Sequence, residues 1–160
     1  MQRGKWRVVP AAVAVGTLMA LAGSPAAAHA PAKVKPCKPL KASEISAAFG
    51  VEAGNGVAQG SDCTWRIGDR ALSLEVVTKD AKSSFESLRE LARSAGSPIQ
   101  KVTRLGDQAV FAPIESFKQL LVLKGRKFLF FRVFDIASPM DTDTARTALV
   151  EVAAKAVKRV

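Results

Sequence analysis

The 160-residue chain has no tyrosine, one histidine and two cysteines. Each scarcity removes chemistry. Without tyrosine, a common catalytic acid and a common sugar-stacking side chain are missing. The only imidazole, His29, falls in what reads as a solvated N-terminal tail, so Ser-His-Asp and Cys-His nucleophilic sites are not expected, nor are ordinary zinc sites, whose ligands are mainly His and Cys. His29 becomes the first residue if processing follows Ala28, and an amino-terminal histidine can chelate copper. Such sites need a second histidine that the chain lacks. The glycine-rich stretch VEAGNGVAQGS, residues 51–61, does not end in Gly-Lys-Ser/Thr, so it makes no case for a phosphate-binding loop. On these residues no cofactor, no metal and no enzymatic activity are expected.

Carboxylates are what remain for catalysis. Asp141 with Asp143, or Asp69 with Asp80, could serve a glycosidase or a calcium site. Residues 141 and 143 are better explained as helix-capping residues, and 69 as a turn former. A hydrolase working with carboxylates alone is therefore the third reading of function, behind two binding functions.

What is present starts with an export signal. Arg3, Lys5 and Arg7 precede the apolar run VVPAAVAVGTLMALA, and small residues in SPAAAHAPA supply a cleavage site after Ala28 or after Ala30. Pro31 would hinder cutting after Ala30, which favours Ala28. The apolar run is shorter than the roughly 20 residues needed to span a bilayer, so residues 1–28 are expected to be removed and no stable membrane span to remain. Leu21-Ala22-Gly23 looks like the start of a lipobox, but Ser24 stands where the lipidated cysteine would be. The chain is therefore expected to be secreted, extracellular or in the cell envelope, without a lipid anchor.

Removing residues 1–28 takes away three basic residues and no acid, leaving 21 Lys and Arg against 14 Asp and Glu, a net charge of +7. The basic residues cluster at Lys33, Lys35, Lys38 and Lys41, at Lys124, Arg126 and Lys127, and at Lys155, Lys158 and Arg159. In an exported protein this balance suits solubility and anionic envelope components or lipid headgroups, and the compartment argues against nucleic acid.

Residues 29–41, HAPAKVKPCKPLK, hold three prolines and four lysines and read as an extended Pro/Lys-rich segment leading into one domain over 42–160. A helix is predicted at ASEISAAFG, with Ser43 as N-cap, Glu44 in the first turn and Gly50 as its stop. Residues 51–61 read as a flexible connection. Cys63, Trp65 and Ile67 alternate with polar residues, and Leu72, Leu74 and Val76 do so after a Gly-Asp-Arg turn, which predicts an antiparallel hairpin. SSFESLRELARSAG carries a Ser83-x-x-Glu86 capping box and a face of Phe85, Leu88, Leu91 and Ala92. Short strands are predicted on either side of Gly106-Asp107, and two longer ones around Lys124-Gly125-Arg126-Lys127. In the last of these, Leu129, Phe131 and Val133 face one way and Phe128, Phe130 and Phe134 the other. That strand should be central and covered on both sides, or one of its faces should form a groove. A closing helix capped by Asp141 or Thr142 buries Ala145, Ala148, Leu149, Val152, Ala156 and Val157. The fold class is α+β, an antiparallel sheet with helices packed on it.

An exported chain with two cysteines implies one disulfide, Cys37 to Cys63. The closed loop would staple the proline-rich segment and first helix to the first strand, with Trp65 packing nearby.

The order PCKPLKASEISAAFG, CTW on a strand, RLGDQAVFAP, an apolar hairpin and an Ala/Val-rich last helix resembles exported domains of unknown function common in actinobacteria, often lipoproteins. It is more distantly similar to extracellular sensor domains of actinobacterial receptor kinases. Ser24 departs from the lipoprotein pattern. The resemblance implies the fold and location and carries no activity or site.

The function expected first is a secreted, non-enzymatic binding module associated with the envelope, holding a small apolar or anionic ligand or a partner against the sheet. Phe130, Arg132 and Lys127 are its candidate binding residues. The alternative is an interaction or inhibitor domain whose basic turns dock an acidic partner.

Overall fold

The structure, a computed structural model, describes residues 35–136 and 139–160. The expected signal segment, its expected cleavage site and His29 lie outside the described residues. The chain forms α1 (Ala42–Phe49), β1 (Val57–Gln59), β2 (Asp62–Ile67), β3 (Arg70–Val77), α2 (Ala81–Ser94), β4 (Gln100–Lys101), β5 (Gln108–Ile114), β6 (Phe117–Lys124), β7 (Lys127–Asp135) and α3 (Thr142–Val157). All neighbouring strands are antiparallel, in the order β1-β2-β3-β7-β6-β5-β4. This is the predicted α+β class.

The seven-stranded sheet has β7 in its middle, and the sequence of β7 explains why. Leu129, Phe131 and Val133 enter a core with Trp65, Leu72 and Leu74, closed by Ile45 of α1 and Leu149, Val152 and Ala156 of α3. Phe128 and Phe130 enter a smaller core on the other face, closed by Ala81 and Phe85 of α2. A strand apolar on both faces is stable only where both are covered, and burial of each such side chain contributes about 1.5–3 kcal/mol. The β6–β7 hairpin turns at Gly125, whose φ of 57° suits glycine, and Lys124 pairs with Lys127 as the turn spacing requires.

Cys37 and Cys63 form the expected disulfide, with Cα atoms 5.0 Å apart. Residues 35–41 are not an extended linker. Lys38 donates its N–H to the Lys35 carbonyl at 3.0 Å, and Pro36, Pro39 and Leu40 are buried, so the packed domain begins before residue 42. The disulfide and Leu40 together draw this segment onto the core.

Residues 51–61 are not merely a flexible connection either. Ala53 bridges Ile67, and β1 pairs with β2. Gly56 makes this possible, because a Cβ there would lie 2.6 Å from Trp65 Nε1 and 2.7 Å from Cys63 Sγ. Only a bare backbone passes that close to the tryptophan and the disulfide.

Both of the first two helices start earlier than their capping signals suggest. The residue preceding α1 is Lys41, whose N–H is taken by the Glu44 carboxylate at 3.0 Å, and Ser43 lies inside the helix. In α2, Ala81 is buried and extends the helix back to Asp80 at φ 52°. Ser83 donates its hydroxyl to the Asp80 carbonyl, and Glu86 pairs with Arg89 rather than closing a capping box. Leu91 is exposed, because the inward face of α2 is centred on Ala81, Phe85 and Ala92 and residue 91 lies to one side. Helix α3 follows its expectation, with Asp141 as cap and Gly50 likewise ends α1 in the left-handed region. Ala153 joins the buried stripe of α3, and Val157 is only half-buried.

Candidate binding face of the sheet

Helix α2 lies on β5, β6 and β7 and reaches the Glu75–Val77 end of β3, and among the described residues no helix covers the same face of β1, β2 and the rest of β3. Strand alternation puts Asp62, Thr64 and Arg66 of β2 and Ala71, Ser73 and Glu75 of β3 on that face, where Ser73 is buried beside Arg132. Thr64 and Arg66 are exposed. At its boundary with the covered part stands Arg132 of β7, with Phe130 and Phe134 two residues to either side on the same face.

The Arg132 guanidinium is held from three directions. Its carbon lies 4.7 Å from the centre of the Phe130 ring and 5.5 Å from that of Phe134. Its Nε donates to Ser73 Oγ at 3.2 Å, and one terminal nitrogen is 3.4 Å from Asp62 Oδ1. Ser73 is directly opposite Arg132 in the β3–β7 ladder, which is why a short hydroxyl reaches it. Phe134 in turn meets Phe117, its cross-strand partner on β6, with ring centres 5.6 Å apart. Contacts of these kinds contribute about 0.5–1 kcal/mol each at half-exposed sites, so their combined effect is to fix an orientation more than to stabilise the fold. A guanidinium so fixed keeps its remaining N–H groups as preorganised donors toward the open side.

Of the three residues expected at a site, the structure brings Phe130 and Arg132 together and leaves Lys127 out. Lys127 is the first residue of β7, beside the hairpin turn, and alternation places it on the face opposite Arg132. The basic turn is also partly engaged, since Lys124 Nζ is 3.6 Å from Asp107 and the other Asp107 oxygen accepts the Gly125 N–H at 2.6 Å. The candidate catalytic acids do not converge. Asp69 and Asp80 flank opposite ends of β3. Asp141 accepts N–H groups from Asp143 and Thr144, and the Thr144 amide and hydroxyl hold its carboxyl below the ordinary carboxylate range. Among the described residues no group of three His, Cys, Asp or Glu is placed to hold a metal, and no helix is long and apolar enough to cross a membrane.

A second surface was not legible in the sequence. Arg89 and Arg93 of α2, Lys101 of β4 and Arg104 of the β4–β5 turn line one cleft of about 600 Å³. These four cations are spread over sixteen positions, whereas the charge clusters visible in the sequence are contiguous runs. The helical spacing of Arg89 and Arg93 was the one available signal.

Compared with protein-family models, with curated proteins and with solved structures, the chain matches none.

Proposed function

We propose that this is an exported, non-catalytic binding domain of the cell envelope, with its partner lying across the part of the sheet that α2 leaves open. The observation that carries this reading is Arg132, a guanidinium stacked on Phe130 and Phe134, tied to Ser73 and Asp62, and half-exposed at the edge of an uncovered sheet. Arginine and aromatic side chains fixed in advance are the residue types that anchor interfaces, because little side-chain entropy is lost when a partner arrives. Export is supported by the basic and apolar N-terminal run, and the disulfide fits an oxidising compartment. The likeness to exported actinobacterial domains points the same way.

The test is retention of the secreted protein on envelope material from its source, comparing wild type with Arg132→Ala and Arg132→Lys. Arg132→Ala should abolish retention, and Arg132→Lys, which keeps the charge but loses the planar fork, should restore only part of it. Equal retention of all three would remove Arg132 as the anchor.

The alternative, docking of an acidic partner on basic turns, keeps one favourable observation. Arg126 shares a shallow depression with Lys79 and Lys82 at the start of α2. Charge reversal at Lys79, Lys82 and Arg126 with unchanged capture would dismiss it.

A further inference from the structure

We infer that the cleft between α2 and the β4–β5 turn is a binding site for an organic phosphate group, separate from the open sheet face and resting on the reading just given only for the envelope location of its ligand. Arg89 and Arg93 are one helical turn apart and present their side chains to the same side. Lys101 and Arg104 reach the cleft from across it. The only acid in the lining is Asp107, and its carboxylate is already engaged by Lys124 and by the Gly125 N–H. Glu86 and Glu90 pair with Arg89 and Arg93 along the helix, which orients the two forks. Among the described residues, Lys101 and Arg104 form no ion pair.

A further observation points to a ligand. Arg104 adopts φ 62°, the left-handed region that glycine enters freely and a long side chain enters at a cost of about 1 kcal/mol. Glycine would fit this turn better; arginine there supplies a charged fork to the cleft. Phosphate is the anion that suits the set, since guanidinium forks bind its oxygens bidentately and its charge can satisfy more than one cation. The apolar floor formed by Ile99 and Val110 suits the carbon part of an ester, so bare inorganic phosphate is not the full ligand. Two envelope sources carry such a group, a phospholipid headgroup and a phosphodiester polymer.

The experiment is a backbone-amide NMR titration of the mature protein with two probes, an oligomer of glycerol phosphate and monomeric dihexanoyl phosphatidylglycerol. Neutral glycerol and octyl glucoside serve as controls. The expected result is saturable shifts at Lys101, Thr103, Arg104 and the Arg89–Arg93 turn with at least one phosphate probe and none with the controls. A response to the oligomer alone names the polymer, to the lipid alone names the headgroup, and to both means that the phosphate ester itself is read. Arg104→Gly is the decisive variant, because it relieves the backbone and so keeps the fold. It should raise the melting temperature and weaken binding by about tenfold or more. No cleft shifts with either phosphate probe, shifts matched by the neutral controls, or unchanged affinity in Arg104→Gly would each overturn the site.

Discussion

Arg159, next to the last residue, donates to both carboxylate oxygens of Glu44 in the first turn of α1 and also to the Pro39 carbonyl at 3.0 Å. One side chain therefore ties the end of α3 to the start of α1 and to the segment carrying Cys37. The hydrogen bond from Arg159 holds the Glu44 carboxyl at about 2, well below its ordinary 4.5, with the Lys41 N–H assisting. The partner guanidinium is shifted up by the same bond.

A pH dependence follows from that pair. A carboxyl whose pKa is lower in the folded chain contributes stability above its unfolded value, and the contribution is lost as pH falls through the folded one. The difference in urea midpoint between wild type and Glu44→Gln should therefore be full above about pH 5 and shrink as the pH approaches 2. A difference that stays constant over this range would show that the pair is not the source.

Reduction supplies a second expectation. The disulfide spans 26 positions, and restricting that loop in the unfolded chain is worth about 3–4 kcal/mol. The double variant Cys37→Ser, Cys63→Ser should lower the free energy of unfolding by that amount in a denaturant titration. Alkylation without reductant should label neither cysteine of the folded protein.

Two glycines with nearly the same φ should respond differently to alanine. Gly50, at 66°, ends α1 with open space around it, so Gly50→Ala should cost only the left-handed penalty of about 1 kcal/mol. Gly106, at 62°, would place a Cβ 2.5 Å from the Leu123 carbonyl oxygen and 2.8 Å from a Val122 methyl. Gly106→Ala should cost that penalty and about 1–3 kcal/mol of overpacking besides. Equal losses in the two variants would show that the turn relaxes away from β6.

The close approach at Gly106 also explains the Leu-Gly-Asp turn. The Asp107 N–H donates to the Leu123 carbonyl at 2.7 Å while its carboxylate receives the Gly125 N–H, so one turn braces the next hairpin. The motif is legible in the sequence, but its partner, eighteen residues away, is not.

The same division runs through the whole chain. The two-faced apolar pattern of β7 identifies a central strand, because burial on both sides leaves no other place for Phe128, Phe130 and Phe131. Spacing by two also puts Phe130 beside Arg132. The cap signals at Ser43 and Ser83 lie inside their helices, because the burial of Ala81 and the Glu44 carboxylate outweigh the local cap. The strand at Val57–Gln59 has no apolar signal of its own, since its three residues are exposed and its path depends on Gly56 passing Trp65 and Cys63. Lys127 is close to Arg132 in sequence, and strand alternation separates them. The cleft cations Arg89, Arg93, Lys101 and Arg104 meet only once α2 is laid against β5, the strand that β4 pairs with.

The measurement that bears most directly on the open sheet face as a binding surface is site-specific photo-crosslinking in the producing cells. A crosslinker at Thr64, exposed on that face, is compared with one at Lys155 on the outer side of α3. A discrete adduct is expected from position 64, lost when Arg132→Glu is added, and none from position 155. No adduct at 64, or one that survives Arg132→Glu, would contradict it.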